Sequence, residues 1–209
     1  MIIVSLKSKS SEERIELSDG SLFSFKICYL PPELQITRFY DSGTAEGREI
    51  SAFEEAAFRH ASACLRTERA ALRLIARAEQ CEQGLARKLQ RRGHDGPCVN
   101  AVISRLAELN LLDDCRYAQL WLESRLRLVR SPRRLLVSLC ARGIAREDAE
   151  AALKTALDED AEFAILSRFA KKHAQKATRR GEDVTRSLRH LLKSEGFSQT
   201  AIRRFLEED

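Results

Sequence analysis

Apolar and polar residues alternate over Glu13–Leu17 and again over Leu22–Ile27, separated by Ser18, Asp19, Gly20 and Ser21. Alternation on both sides of a Gly-containing turn predicts a β-hairpin, with Ile2–Leu6 as a candidate third strand. Pro31 and Pro32 close this region, and Gly43 and Gly47 mark a loop. Ser51 followed three residues later by Glu54 is a capping box, which opens a long helix.

From there every apolar pattern has helical spacing, and the pattern repeats. Leu85, Leu89 and Gly93 are matched by Leu135, Leu139 and Gly143, and by Leu188, Leu192 and Gly196. Two leucines four apart stack on one helix face, and the glycine suits the left-handed residue that ends a helix. The match runs on through His94, Ile144 and Phe197, then Val99, Ala149 and Ile202, then Ile103, Leu153 and Leu206. Each repeat reads as a long first helix, a second ending at the glycine, and a shorter third. First helices are expected over about 54–77, 114–129 and 159–174, second helices over about 81–92, 132–142 and 184–195, and third helices over about 97–109, 146–157 and 199–207. Ser131 before Pro132, Asp95 before Pro97, Asp183 and Ser198 supply start signals, and Asn110 tolerates the left-handed conformation.

The expected fold is therefore mainly α: three tandem three-helix repeats forming an elongated, curved array, with a small N-terminal β-hairpin-like extension. The boundaries are 1–50 for the extension and 51–112, 113–157 and 158–209 for the repeats.

Composition agrees. Charged residues reach 32%, aromatics 6%, and glycine plus proline number 13 in 209 residues, which suits solvated helices around a Leu, Ala and Ile interior. Lys7 and Lys9 interrupt the apolar start at Met1–Val4, so no signal peptide is expected, and a cytoplasmic location follows. No run reaches the roughly 18 apolar residues of a membrane span. Cys28, Cys64, Cys81, Cys98, Cys115 and Cys140 include no Cys-x-x-Cys pair, and His60, His94, His173 and His190 add no close ligand pair. The cysteines read as small apolar packers in a reducing compartment, with no metal and no cofactor expected.

Charge changes the picture more. The net charge is +5, and arginines outnumber lysines, 27 to 9. Arginine forks onto phosphate and carboxylate, so nucleic acid or an acidic partner stands beside a plain solvated surface as the explanation. The densest basic stretch holds Arg125, Arg127, Arg130, Arg133 and Arg134, and Arg116 precedes it. Residues 144–163 hold seven acidic side chains against Arg146 and Lys154, so opposed blocks either pair internally or face a charged partner. Further basic groups are Arg87, Lys88, Arg91 and Arg92, then Lys171, Lys172, Lys176, Arg179 and Arg180, and an Arg66, Arg69, Arg73, Arg77 stripe. Stripes of this kind are solvated faces or tracks for a phosphate backbone.

Catalytic signatures are missing: no Gly-rich phosphate loop, no Gly-x-Ser-x-Gly and no His-Glu-x-x-His. The pair Asp113 and Asp114 reads as a helix start rather than an acid–base site. Tyr117 and the sole tryptophan, Trp121, lie one turn apart and read as packing rather than base stacking. A binding protein is expected, not an enzyme. A helix-turn-helix DNA-binding regulator and a helical protein scaffold are the alternatives.

Leu111, Leu112, Asp113, Asp114, Cys115, Arg116, Tyr117 and Ala118, then Trp121, Arg125, Pro132 and the Leu139–Ile144 ending with Arg142 and Gly143, resemble the RecX family of regulators of the RecA recombinase. The chain departs from the family pattern at Arg130-Ser131, where a glycine is usual, and at Gln80-Cys81 and His94. The resemblance covers about residues 50–206. It implies a monomeric, non-enzymatic modulator of recombination, repair and the SOS response. Such a modulator binds the RecA–single-stranded DNA filament, contacting DNA weakly or through the filament, touches no membrane, and most often inhibits the recombinase and its ATPase. The basic residues Arg116, Arg125, Arg127, Arg130, Arg133, Arg134, Arg87, Lys88, Arg91, Lys171 and Lys172 are the candidate contacts. Leu111, Leu112, Asp113, Asp114, Tyr117, Trp121, Gly93, Gly143 and Gly196 are the candidate structural motif.

Overall fold

The structure is a computed structural model that describes residues 1–9, 11–36, 46–126, 128, 130–178 and 184–208. It divides into two compact units, Met1–Leu112 and Asp113–Asp209.

In the first unit, β1 (Ile3–Lys9), β2 (Glu12–Leu17) and β3 (Leu22–Phe25) form an antiparallel meander. Ile15 faces Phe23 and Glu13 faces Phe25 across β2 and β3. Period-two alternation buries Ile15, Leu17, Phe23 and Phe25 on one face. Gly20 takes a positive φ of 82° in the turn, as the Ser-Asp-Gly-Ser segment demands. The outer edge of β1 is covered by residues 47–50, with Gly47 N–H donating to the Ile3 carbonyl at 2.8 Å. Coverage of this kind keeps a sheet edge from pairing with another chain. A short 3-10 turn, Ile27–Tyr29, ends the third strand earlier than the alternation suggests, and Pro32 opens a five-residue helix α1 (Pro32–Ile36) absent from the sequence reading.

Helix α2 (Ala52–Ile75) starts at the expected capping box, in which the Ser51 hydroxyl accepts from Glu54 N–H and Glu54 accepts from Ser51 N–H. Its apolar face packs on the sheet, where Phe58 stacks on Phe25 at a 5.2 Å centroid distance. Helices α3 (Glu82–Arg91) and α4 (Gly96–Glu108) complete the first three-helix unit against α2. Sheet and helices share one core. Across it, the largely buried Glu68 carboxylate on α2 meets Lys26 Nζ at 2.8 Å.

In the second unit, α5 (Asp114–Arg125), α6 (Pro132–Cys140) and α7 (Arg146–Ala156) form one three-helix group. Helices α8 (Glu159–Thr178), α9 (Val184–Ser194) and α10 (Gln199–Glu208) form the next, around Leu166, Phe169, Leu192, Phe197 and Ile202. Helix α5 stops at Arg125, short of the expected end near 129. Pro132 bars a helical Ser131, and turn bonds run from Leu128 N–H to Arg125 and from Arg130 N–H to Leu128. Asp183 lies outside the described residues.

The repeat shows most plainly at the ends of the second helices. Gly93, Gly143 and Gly196 have φ of 83°, 102° and 84°, and the residue after each donates its N–H to the carbonyl of Leu89, Leu139 or Leu192. The leucine repeated for packing thus also receives the closing bond of the helix. Asn110, the one non-glycine residue with positive φ among those described, ends α4 the same way through Leu111 N–H and the Leu106 carbonyl.

Candidate partner-contacting surface

The leucine-aspartate block sets the start of α5. Asp113 accepts from Arg116 N–H at 2.9 Å, and Arg116 Nη1 stands 3.9 Å from the same carboxylate. Asp114 occupies the first turn, where the positive end of the helix favours an anion. Leu112 is buried and Leu111 is 39% exposed. Tyr117 is half-buried, and Trp121, one turn further, is 8% exposed.

Two arginines embrace that indole. Arg142 Cζ lies 4.5 Å from the Trp121 ring centroid, and Arg125 Cζ lies 5.7 Å away. Arg142 also donates through Nη1 to the Ser138 carbonyl at 2.6 Å. The first of the expected contact arginines, Arg125, is therefore committed inward, with its Nε buried. The arginine of the Arg-Gly-Ile ending, outside the candidate contact set, fastens α5 to the end of α6.

The next part of the corner is organised from the following repeat. Ser131, fully buried, caps α6 by accepting from Arg134 N–H, and its hydroxyl donates to the Glu195 carboxylate. Arg133 N–H donates to the Glu195 carbonyl at 3.0 Å, and Arg133 Nη1 donates to the Ser194 carbonyl at 3.1 Å. Arg134 Nε stands 3.9 Å from the Glu195 carboxylate. The C-terminal end of α9 thus supplies acceptors to the start of α6, where helical N–H groups have none within the helix. Gly196 fits this approach, since a Cβ there would stand 3.4 Å from Arg133 N.

Arg130, Arg133, Arg134, Val137, Ser138 and Glu195 line an open depression of about 470 Å³. Val137 is 60% exposed, an apolar floor among cationic walls. Arg130 has no carboxylate partner among the described residues. Arg127 lies outside the described residues, as do Arg179 and Arg180.

The remaining basic groups stand apart. Arg87 and Lys88 on α3 bond Gln83 and Gln80, at 2.9 and 2.6 Å, and Arg91 is exposed. Lys171 and Lys172 are exposed on α8. In the Arg66–Arg77 stripe, Arg69 pairs with Glu12 of the sheet. The 144–163 block is partly consumed locally. Glu162 accepts from Ser198 N–H and its hydroxyl at 2.7 Å each, Arg146 pairs with Glu150, and Arg204 pairs with Asp160. Within the second unit the basic corner draws its carboxylate from Glu195 rather than from that block.

One cluster escaped the sequence reading. His60, Cys64 and Cys98 place their ligand atoms within 4.8 Å of one another. The signal present in sequence was His60 and Cys64 one helical turn apart; Cys98, 34 residues on, is joined to them only by packing of α4 on α2. No helix among the described residues is long and apolar enough to cross a membrane.

These features define a protein of repeated three-helix units whose distinctive sequence elements act as caps and helix fasteners. Comparison with known proteins agrees: residues 68–106 match the first three-helix domain of RecX, and residues 113–153 match the second. The regulatory protein RecX of Halorhodospira halophila is 37% identical over 130 residues, 62% of this chain and 76% of that protein. That of Treponema pallidum is 35% identical over 144 residues, covering 68% and 85%. A crystal structure of regulatory protein RecX shares the fold over 97% of this chain and 98% of its own, with a TM-score of 0.69 at 17% identity. RecX from Lactobacillus salivarius superposes with a TM-score of 0.58 at 20% identity, over 70% of this chain and 96% of its own. The chain belongs to the RecX family of regulatory proteins.

Proposed function

We propose that this chain acts by binding rather than catalysis, as a modulator that lies in the groove of the RecA–single-stranded DNA filament and lowers its ATP turnover. Family membership supplies the regulatory role. The observation that carries the contact is the α6 corner, where the exposed Arg133 and Arg134 and the half-buried Arg130 line a depression beside the exposed Val137. A filament groove offers acidic protein side chains and phosphate together, and cations around a small apolar floor suit either. Arg87, Lys88, Arg91, Lys171 and Lys172 extend the cationic surface in this reading, and each phosphate they neutralise adds to the salt dependence of binding.

The test replaces Arg130, Arg133 and Arg134 together by Gln and follows single-stranded-DNA-dependent ATP hydrolysis by the host RecA. The heads of Arg133 and Arg134 are exposed, and their ion and carbonyl contacts at the surface contribute little. The variant should therefore fold with at most a modest loss of stability, and Trp121 fluorescence reports whether it does. The variant should need a higher concentration to suppress hydrolysis, and its binding should vary less steeply with salt. The same exchange at Arg66, Arg73 and Arg77 should change suppression less. A folded corner variant that suppresses at the concentration of the parent would place the contact elsewhere.

A further inference from the structure

We propose that His60, Cys64 and Cys98 form a binding site for a thiophilic metal ion of the Zn²⁺ class, fastening α2 to α4 in the first unit. His60 and Cys64 sit one turn apart on α2, and Cys98 stands in the first turn of α4. Cys64 Sγ is 3.5 Å from His60 Nε2, and Cys98 Sγ is 3.6 Å from His60 Nδ1. Donors held around a tetrahedral ion at ordinary Zn–S and Zn–N bond lengths stand roughly 3.5 Å apart. Each sulfur is already near that separation from a ring nitrogen, though each from a different one, and one ligand atom from each of the three residues lies within 4.8 Å of the others.

The chemistry of the set is selective. Two thiolates and one imidazole suit a soft or borderline ion and disfavour Mg²⁺ or Ca²⁺, which take oxygen ligands. On binding, each thiol gives its proton to solvent and forms one metal–sulfur bond, so two thiolates balance a divalent charge. No oxidant or reductant enters. Both sulfurs are buried, Cys64 at 0% and Cys98 at 1% exposure, whereas His60 is exposed. The imidazole thus stands on the solvent side of the cluster, and turning it selects the one ring nitrogen that binds. Cys98 also lies at the positive end of α4, which favours an anionic ligand. Three protein donors leave a fourth position on a tetrahedral ion for water.

Packed thiols that merely hydrogen-bond an imidazole are the competing account, and cadmium distinguishes the two. The probe is Cd²⁺ added to the reduced full chain in which the exposed Cys28, Cys115 and Cys140 are Ser. Ultraviolet absorption from sulfur-to-cadmium charge transfer is the readout, with Zn²⁺ as competitor. One equivalent should bind, raise the thermal midpoint and be displaced by Zn²⁺. Cys64→Ala and Cys98→Ala should abolish the band. His60→Gln, at an exposed position, should lower the metal-free midpoint far less than it weakens binding, which should fall by at least about tenfold. Absence of the band in the parent chain would overturn the proposal. So would a band that survives loss of Cys64 and Cys98, or a His60→Gln chain that binds as tightly as its parent.

Discussion

The guanidinium of Arg142 lies over the indole of Trp121, with Cζ 4.5 Å from the ring centroid. Two residues far apart in the recognisable sequence blocks thereby meet, one on α5 and one just past the end of α6. The planar cation covers a ring that would otherwise face water, while its Nη1 bonds the Ser138 carbonyl. A cation over Trp contributes about 0.5–2 kcal/mol, depending on desolvation.

Arg142→Ala should therefore destabilise the second unit by about 1 kcal/mol. Trp121 is the sole tryptophan, so its emission follows that unit alone. The native emission should shift to longer wavelength as the ring is uncovered, and the urea midpoint should fall. Arg142→Lys, which keeps the charge and loses the flat stack, should lie between. An Arg142→Ala chain with unchanged emission and midpoint would show that the stack contributes nothing.

The second prediction concerns Glu195, whose carboxylate receives the Ser131 hydroxyl and whose carbonyl receives Arg133 N–H. Ser131 is fully buried, so removing its acceptor leaves a polar group poorly satisfied. Glu195→Ala should cost about 1–3 kcal/mol. Ser131→Ala should cost less in the Glu195→Ala background than in the parent, and a double-mutant cycle measures the difference. Strict additivity would mean that the two residues do not couple.

Gly143 has φ of 102°, a region that β-branched residues resist. Gly143→Val should destabilise by about 1–2 kcal/mol, through strain at the cap rather than through lost burial. The check is a comparison with Ser138→Val on the half-buried middle of α6, which keeps ordinary helical geometry and should cost less. Equal losses would place the penalty in the side chain and not in the backbone.

A fourth prediction uses pH. Burial, and then the neighbouring Glu68 charge, push the Tyr29 phenol above its ordinary value of 10.0. The folded state therefore holds this proton more tightly than the unfolded chain does. Its contribution to stability is complete below pH of about 10 and declines as pH rises beyond that, where the unfolded phenol ionises. Helical circular dichroism in denaturant at pH 9 and pH 11 should show a loss of stability in the parent. Tyr29→Phe should reduce that loss. An identical loss in both would assign alkaline sensitivity to other groups.

Local rules made much of the fold legible. The capping box at Ser51 and Glu54, the strand alternation and the Leu-Leu-Gly repeat each depend on residues within about one turn or one pleat of one another. Their physics is carried by the backbone, so chain order suffices. The Asp113 cap was legible for the same reason: its acceptor role is played three residues away, at Arg116 N–H. The family was legible because its motif residues are mostly caps and fasteners that keep their spacing.

Side-chain partners across helices were not legible, because chain distance does not limit them. Nothing in the order of residues tells Arg125 to turn onto Trp121 while Arg130 is left to line an open depression with Val137. Nothing assigns Glu195 to Ser131, 64 residues away, until α9 packs against the start of α6. His60, Cys64 and Cys98 meet by the same mechanism, through α4 packing on α2. The sequence by itself determined the repeated helices, the caps that open and close most of them, and which faces must be hidden, since those follow from local geometry and hydrophobic period. Only the tertiary structure decided which charges are consumed, which remain for a partner and which donors converge, because burial and pairing depend on the neighbour that packing brings.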